Sequence, residues 1–223
     1  DGTVVQSSAF RRVLDGDNPI RWMKSTEKGL IVGTLAGEWV VMTEGVTQAF
    51  GPTTAVARQF SANGAAAIQP IRNGDSLLYP QRARRTVRDI TFSIDQQKLV
   101  TSDRNLRSDH IAVAGIVASC YAEEPHRVMW NLLGDGKIAG LTYNREPGAQ
   151  VSAWHQHKIA GSFGSGDAVV ESITVIPGPD ETTDDVWIAI KRTINSATVR
   201  YIEYMSKPLT YGEDIEDGVY MDS

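Results

Sequence analysis

The 223-residue sequence predicts an all-β fold made of antiparallel meanders. Short apolar runs rich in β-branched and aromatic residues recur along the chain, and turns containing Gly, Pro or Asp separate them. No apolar pattern with helical spacing persists beyond about two turns, so long helices are not expected. The clearest meander lies within His126–His157, where Asp135-Gly136 favours a tight hairpin turn between runs at Val128–Leu133, Ile138–Tyr143 and Val151–Trp154.

The other strands are predicted in three further groups. Residues 1–19 form a lead-in in which Ser8–Leu14 has the composition of one or two helical turns. After it come strands at Ile20–Met23, Leu30–Thr34 and Glu38–Met42, weaker candidates at Thr53–Phe60 and Ala66–Ile71, and a second group at Ser76–Tyr79 and Arg88–Ile94. A polar connector at Asn105–His110 precedes a run at Ile111–Tyr121, and the last group comprises Val169–Ile176, Val186–Arg192 and Val199–Met205.

The run Arg88–Ile94 has a regular period of two. Its polar members, Asp89, Thr91 and Ser93, alternate with Ile90, Phe92 and Ile94. Because successive side chains of a strand point to opposite faces, this pattern predicts one polar face in solvent and one apolar face in the core.

A large apolar residue in each group suggests a repeat. Trp39, Leu78, Trp130 and Trp187 are 39, 52 and 57 residues apart, spacings that bracket the ~40–50 residues of a propeller blade. With four strands to a blade, the sequence predicts a β-propeller-like array of about four antiparallel meander blades that need not close. The predicted domains are a lead-in from a preceding region (1–19), a propeller-like domain (20–207) and an acidic C-terminal connector (208–223).

Composition and charge narrow the function classes. The chain is 41% hydrophobic and 22% charged, which is typical of a folded protein. Its net charge of −5 lies entirely in residues 211–223, so the remainder is formally neutral and does not resemble a basic nucleic-acid binder. There is no transmembrane run and no signal peptide, and the start at Asp1 suggests a fragment or a processed product. Cys120, the one cysteine, is predicted to be a small buried residue.

Two histidines are candidate metal ligands. His155 and His157 are two residues apart on one face of a strand, and His126 or a carboxylate could complete a site. No carboxylate stands at a recognisable ligand spacing, and two histidines on the solvent face of a strand end are the commoner arrangement. We therefore predict no metal site.

A cluster of arginines and two pairs of carboxylates are the other polar candidates. Arg82, Arg84, Arg85 and Arg88 could contact phosphate, but no aromatic residues interleave them. A solvated hairpin tip, whose arginines pair with Asp89, Asp75 or neighbouring blades, is favoured. Glu123-Glu124 and Asp184-Asp185 could serve glycoside chemistry. Neighbouring strand residues point to opposite faces, so both pairs are interpreted as polar loop ends.

Catalytic signatures are missing from the sequence. It contains no Gly-x-Ser-x-Gly elbow, no phosphate-binding loop and no sialidase-type Ser-x-Asp-x-Gly-x-x-Trp box. We predict that the protein is not an enzyme, that it has no catalytic or cofactor-binding residues, and that it needs no cofactor.

Several short motifs, taken in their order and spacing, resemble one family. In the C-terminal half they are Leu141-Thr142-Tyr143-Asn144-Arg145-Glu146, Val151 with Trp154-His155 and His157, Val170-Glu171-Ser172-Ile173 with Val175-Ile176-Pro177, Asp185-Val186-Trp187, Arg192-Thr193-Ile194-Asn195 and Val199-Arg200-Tyr201-Ile202-Glu203. In the N-terminal half they are Arg21-Trp22, Leu30-Ile31-Val32-Gly33-Thr34, Gly37-Glu38-Trp39 and Gly74-Asp75 followed by Leu78 and Gln81-Arg82. Together, over roughly residues 20 to 205, they resemble tailed-bacteriophage and prophage virion proteins of the tail-tube or nozzle type.

The resemblance implies a structural role. Such proteins have a propeller-like central part and assemble as rings around the channel through which DNA passes. It implies self-association, contacts with other tail or portal proteins, at most non-specific contact with DNA, no membrane partner, and a place in the virion after synthesis in the bacterial cytoplasm. It supplies no catalytic residue.

A carbohydrate-binding or glycan-cleaving propeller acting at the host surface is the alternative. That function predicts two or three aromatic residues and carboxylates around one concave pocket. The structural role predicts that Trp39, Trp130 and Trp187 are buried inside blades.

Overall fold

The fold is all-β, as the sequence predicts. A computed structural model describes residues 9–14, 16–43, 45, 48–145 and 151–206, and every regular element within them is a β-strand. Over these ranges there is no helix that could cross a membrane. Residues 9–14, the described part of the predicted helical turns, have no regular structure. The acidic connector at 208–223, the first eight residues and the Glu146-Pro147-Gly148 turn lie outside the described residues.

The chain divides into two compact units at Arg104/Asn105, a boundary that the sequence analysis did not predict. The first unit contains two four-stranded sheets. The first sheet comprises β1 (Ile20–Thr26), β2 (Gly29–Thr34), β3 (Glu38–Thr43) and β4 (Ala55–Ser61). The second sheet comprises β5 (Ile71–Asn73), β6 (Ser76–Pro80), β7 (Val87–Ser93) and β8 (Lys98–Asp103).

The second unit contains a four-stranded sheet, a short hairpin and a three-stranded sheet. The third sheet comprises β9 (Ile116–Ala122), β10 (Val128–Leu133), β11 (Ile138–Asn144) and β12 (Val151–His157). The hairpin is β13 (Ser162–Phe163) with β14 (Gly166–Asp167). The fourth sheet comprises β15 (Val169–Pro177), β16 (Asp184–Ile194) and β17 (Ala197–Tyr204).

Each sheet is an antiparallel meander whose strands follow one another in space as they do in sequence. This order confirms the predicted meanders. The arrangement of the sheets as propeller blades stays a prediction.

The core of the first unit lies between side chains of its two sheets. Trp22, Ile31 and Val40 from the first sheet pack in one cluster with Leu77, Tyr79 and Ile90 from the second. A smaller cluster on the other face of the first sheet contains Trp39 with Val32, Val41 and Ala55.

The core of the second unit lies between the third and fourth sheets. Trp130, Leu132 and Ile138 belong to the same cluster as a set of branched residues from β15 and β16, namely Val170, Ile173, Val186, Ile188 and Ile190. β10 is buried along its whole length, so the strand that carries Trp130 is the most enclosed strand of its sheet.

The predicted faces of the Arg88–Ile94 run are wrong. Asp89 has no exposed surface and Thr91 is also buried, whereas Ile94 lies in the turn after β7 and is 76% exposed. The Asp89 carboxylate is held inside by hydrogen bonds, which it accepts from the Ser102 backbone N–H (3.1 Å) and from Arg104 Nη2 (2.5 Å) among others. A paired carboxylate can be buried where an unpaired one cannot.

Some predicted elements differ in their bounds. Ala66–Ile71 is irregular up to Ile71, where β5 begins, and Ala65 makes only an isolated bridge to Gln81. The polar segment Lys98–Asp103 forms β8, which was not predicted, and the β13–β14 hairpin was also missed. The Asn105–His110 connector contains turns.

Candidate functional site

The four predicted anchors do not occupy equivalent places. Trp39 lies on the third strand of its sheet, whereas Leu78, Trp130 and Trp187 lie on second strands. Trp39, Leu78 and Trp130 are buried, but Trp187 is only half-buried and its ring lies 5.3 Å from that of Tyr204. The first spacing is the shortest because Trp39 lies on a third strand and Leu78 on a second strand. Trp187 is not buried as expected.

His155 and His157 lie on the core-facing side of β12 and not on a solvent face. His155 pairs with Gly140 and Gly140 pairs with Trp130, so all three side-chain positions share one face of the third sheet. The Trp130 ring lies 5.3 Å from the His155 ring and 5.1 Å from the His157 ring, measured between centroids. Both histidines are half-buried at the margin of the core.

The two imidazoles contact each other. Nδ1 of His155 lies 2.7 Å from Nε2 of His157, which is hydrogen-bond distance, and the rings are nearly perpendicular at 83°. The His155 ring lies directly on Gly140, where an added Cβ would stand 2.0 Å from Cε1. Glycine at this position therefore makes room for the ring.

Burial lowers the pKa of both imidazoles. Loss of hydration disfavours the charged form of each ring, and for His157 the neighbouring His155 lowers the pKa further. Both rings are consequently neutral near pH 7. Within the described ranges no group of three or more His, Cys, Asp or Glu side chains could hold a metal ion, and His126 does not join the pair.

The two carboxylate pairs lie beside each other, and the Asp184 carboxylate binds backbone N–H groups there. The Asp184 carboxylate oxygen Oδ2 accepts hydrogen bonds from the backbone N–H groups of Glu123 (2.6 Å) and Glu124 (3.0 Å), and the Asp184 N–H donates to the Glu124 carbonyl (3.0 Å). Glu123 is further 3.9 Å from Arg127. Asp184 thus fastens the loop after β9 to the start of β16. Glu123 and Glu124 lie in that loop, as expected, whereas Asp184 and Asp185 are the first two residues of β16.

The arginine cluster lies at the β6–β7 hairpin tip. Arg82, Arg84 and Arg85 are exposed there, while Arg88 Nε donates to Gln81 Oε1 at 2.9 Å. Asp89, one of the predicted partners, pairs with Arg104 instead. The tip therefore presents three guanidinium groups to solvent.

Cys120 is half-buried beside Trp130 on β9 and β10. Burial raises the pKa of its thiol to about 12, so the thiolate is scarce at neutral pH. This agrees with an unreactive packing residue.

Two grooves, one in each unit, are candidates for the expected glycan pocket. In the first unit, a groove of about 310 Å³ has a floor of Ile31, Leu77 and Ile90, with Lys28 Nζ 4.2 Å from the centroid of its one aromatic ring, Phe92. In the second unit, a groove of about 540 Å³ is lined by Lys158, Ile188, Arg192, Glu203 and Tyr204 among others. Neither groove contains two aromatic rings, so neither matches the predicted combination.

Two ionic groups on the fourth sheet were not found from the sequence. Arg192 and Glu203 face each other as a two-point pair, one contact of which, Nη2 to Oε2, is 2.9 Å. Glu171 lies between Lys191 (3.1 Å) and Arg200 (2.7 Å). These hydrogen bonds lower the pKa of Glu171, first through Arg200, and that of Glu203 through Arg192. These ion pairs do not join register partners, since Arg192 pairs with Val199 and Glu203 with Ile188, and the spacing of the charges in the sequence did not reveal them.

A third polar group that was not found from the sequence is buried in the first unit. Glu38 has no exposed surface, and none of the described residues supplies a hydrogen bond to its carboxylate oxygens. Burial, and after it the charge of Glu38, raise the pKa of the Tyr79 hydroxyl far above its ordinary value. A Glu beside Gly37 at the end of a turn gave no sign of this burial.

No protein-family model matches the sequence, and no curated protein matches it. The resemblance to phage tail proteins therefore rests on the motifs quoted above.

Proposed function

We propose that the chain is a non-catalytic structural protein of a phage or prophage tail, a subunit of a ring around the DNA channel. In this proposal its four larger sheets are propeller-like blades. The observation that carries the proposal is the exposed edge strand with which the fourth sheet ends among the described residues, because a ring needs a surface that is incomplete until a neighbour covers it.

The edge strand β17 has the properties of such a surface. Within the described ranges it is an edge strand of a sheet with three strands, whereas each of the other larger sheets has four. Ile202 is 77% exposed, and Tyr201 and Tyr204 are exposed as well. An apolar edge strand tends to pair with another chain unless something covers it, and assembly would supply that cover.

The hydrogen bonds of two acidic residues, Asp184 and Asp89, support a non-catalytic role. Asp184 is occupied by two backbone N–H groups, and Asp89 by Arg104 and Ser102. Groups held in this way are poor proton donors or acceptors for a substrate.

Charge supports at most non-specific contact with DNA. The chain outside residues 211–223 is formally neutral, so it lacks a strongly basic lining that would retain phosphates. The exposed arginines of the hairpin tip, Arg82, Arg84 and Arg85, could approach phosphate without recognising a sequence.

Immuno-electron microscopy of particles from the phage or induced prophage that carries the gene tests the proposal. An antibody raised against the chain is expected to label the tail at one axial position. Labelling of the capsid alone, or particles free of label although the chain is abundant in the lysate, would overturn it.

A matched pair of variants in the same gene tests the role of the β17 edge. Ile202→Lys places a charge on the β17 edge and should reduce the number of tailed, infectious particles about tenfold or more. Ile94→Lys places the same charge at an equally exposed residue in the turn after β7 and should leave particle yield near wild type. Equal yields of tailed, infectious particles from the two variants would show that assembly does not need the β17 edge.

Glycan binding is the second candidate function, because Trp187 and Tyr204 form an aromatic pair on the fourth sheet. A glycan array probed with the chain tests it directly. Binding that Trp187→Ala abolishes, while Trp39→Phe retains it, would favour this function over the structural one.

A further inference from the structure

We infer that His155 and His157 form a two-residue binding site for a divalent transition metal, foremost Cu²⁺. The ligand atoms would be Nδ1 of His155 and Nε2 of His157, with water in the remaining positions. This inference stands on the second unit alone and does not depend on the proposed function.

The two nitrogens lie close enough to share one metal ion. They are 2.7 Å apart, as hydrogen-bonded partners on the same face of β12. Two ligands about 2.0 Å from a metal and at right angles to each other lie about 2.8 Å apart, so after the rings turn both lone pairs can reach one ion. At a given site of imidazole ligands, Cu²⁺ binds more tightly than Zn²⁺.

A metal ion can replace the proton that the two rings share. It takes up the lone pair of a neutral imidazole. In the metal-free pair, one ring donates its N–H to the other. On metal binding, each ring turns about its Cβ–Cγ bond, and the shared proton moves to the far nitrogen of its own ring.

The rings are held near each other before a metal arrives. Trp130 contacts both of them, and Gly140 provides the space in which the His155 ring lies. Only a turn of each ring is then needed, so less conformational entropy is lost on binding. Both histidines are half-buried, so each keeps some surface that water ligands can reach.

This placement changes the interpretation of the Trp154-His155-Gln156-His157 motif. Spacing alone put both histidines on one face, and solvated histidines at a strand end would have independent, mobile rings. The structure brings the two nitrogens into contact against a buried tryptophan, which is a different arrangement.

Calorimetric titration of the 223-residue chain with Cu²⁺ at pH 7.5, in a buffer that does not bind metals, tests the inference. One Cu²⁺ per chain should bind in a first, saturable step, and Zn²⁺ should bind at least about tenfold more weakly, in line with the Irving–Williams order. His155→Ala and His157→Ala should each weaken the first step at least about tenfold. His110→Ala and His126→Ala are the matched controls and should leave it unchanged.

Two further measurements make the test independent of variant folding. In the wild-type chain, sub-stoichiometric Cu²⁺ should broaden the NMR signals of the His155 and His157 rings and spare those of His110 and His126. Gly140→Ala keeps both histidines but displaces the His155 ring, so it should also weaken the first binding step.

Three results would overturn the inference. They are the absence of a saturable first step in the wild-type chain, an unchanged first step in the His155→Ala/His157→Ala double variant, and Zn²⁺ binding as tight as Cu²⁺ binding.

Discussion

The indole ring of Trp22 lies directly over Gly33, where an added Cβ would stand 2.3 Å from Cε2 of the ring. The two residues are register partners on β1 and β2. His155 and Gly140 repeat the relationship between β12 and β11. In both sheets an aromatic side chain on the edge strand covers a glycine on the next strand, which buries backbone that glycine would otherwise leave exposed.

Replacement of Gly33 by alanine should lower the free energy of unfolding by about 1–3 kcal/mol, the usual cost of overpacking. The new methyl group cannot coexist with the Trp22 ring in its present position. Guanidinium denaturation followed by tryptophan fluorescence measures the change. Gly166→Ala is the control, since a Cβ there would meet only the Phe163 carbonyl at 3.8 Å, and it should unfold like wild type.

Replacement of Arg104 by glutamine should cost about 3 kcal/mol or more, because it leaves the buried Asp89 carboxylate without its charged partner. Denaturation midpoints of the purified variants measure this cost. The double variant Asp89→Asn/Arg104→Gln removes both charges and should recover part of the loss. A double variant less stable than the single one would show that the pair is not the main interaction.

Replacement of Asp184 by alanine should destabilise the second unit by about 1–3 kcal/mol, since the two backbone N–H groups of the loop after β9 lose a charged acceptor. Hydrogen exchange should show faster exchange at Glu123 and Glu124. Asp185→Ala is the matched control and should change neither quantity. If Asp185→Ala were equally damaging, the assignment of the loop contact to Asp184 would be wrong.

The unfolding free energy should fall as the pH drops through about 6.5 because of His155 and His157. Their pKa values are lowered in the folded chain, whereas in the unfolded chain they return to the ordinary value of about 6.5. Between the folded and unfolded values the unfolded chain binds more protons, so acidification favours unfolding, and the dependence levels off below the folded values.

Denaturation curves between about pH 5 and pH 7.5 measure this dependence. The His155→Ala/His157→Ala variant should have a flatter profile over this interval, and a profile as steep as that of the wild type would contradict the role of the two histidines. Glu171 and Glu203 have lowered pKa values, so their contribution is lost only in more acidic solution and does not mask the effect.

The meanders could be predicted because their signals are local. Strand runs and turn residues such as Asp135-Gly136 lie next to each other in the chain, and β10 and β11 pair as that turn requires. β8 was missed because its sequence is polar, and its half-buried residues are held by pairing with β7.

The roles of single polar residues could not be predicted, because their partners are distant in sequence. Asp89 is buried because of Arg104, which lies 15 residues away, and Asp184 binds a loop about 60 residues before it. The shared face of His155 and His157 followed from their spacing. That this face is also the face of Trp130 depends on the register of three strands, which no short motif contains.

The sequential order of strands bears on how the chain folds as it leaves the ribosome. The first sheet uses only Ile20–Ser61 and the second only Ile71–Asp103. Synthesis adds about 5–20 residues per second, whereas a hairpin forms in about 1–10 μs. Each sheet can therefore complete its hydrogen bonds before the next one is made. At every stage the edge that receives the next strand is that of the strand most recently synthesised, while the first strand stays at the other edge.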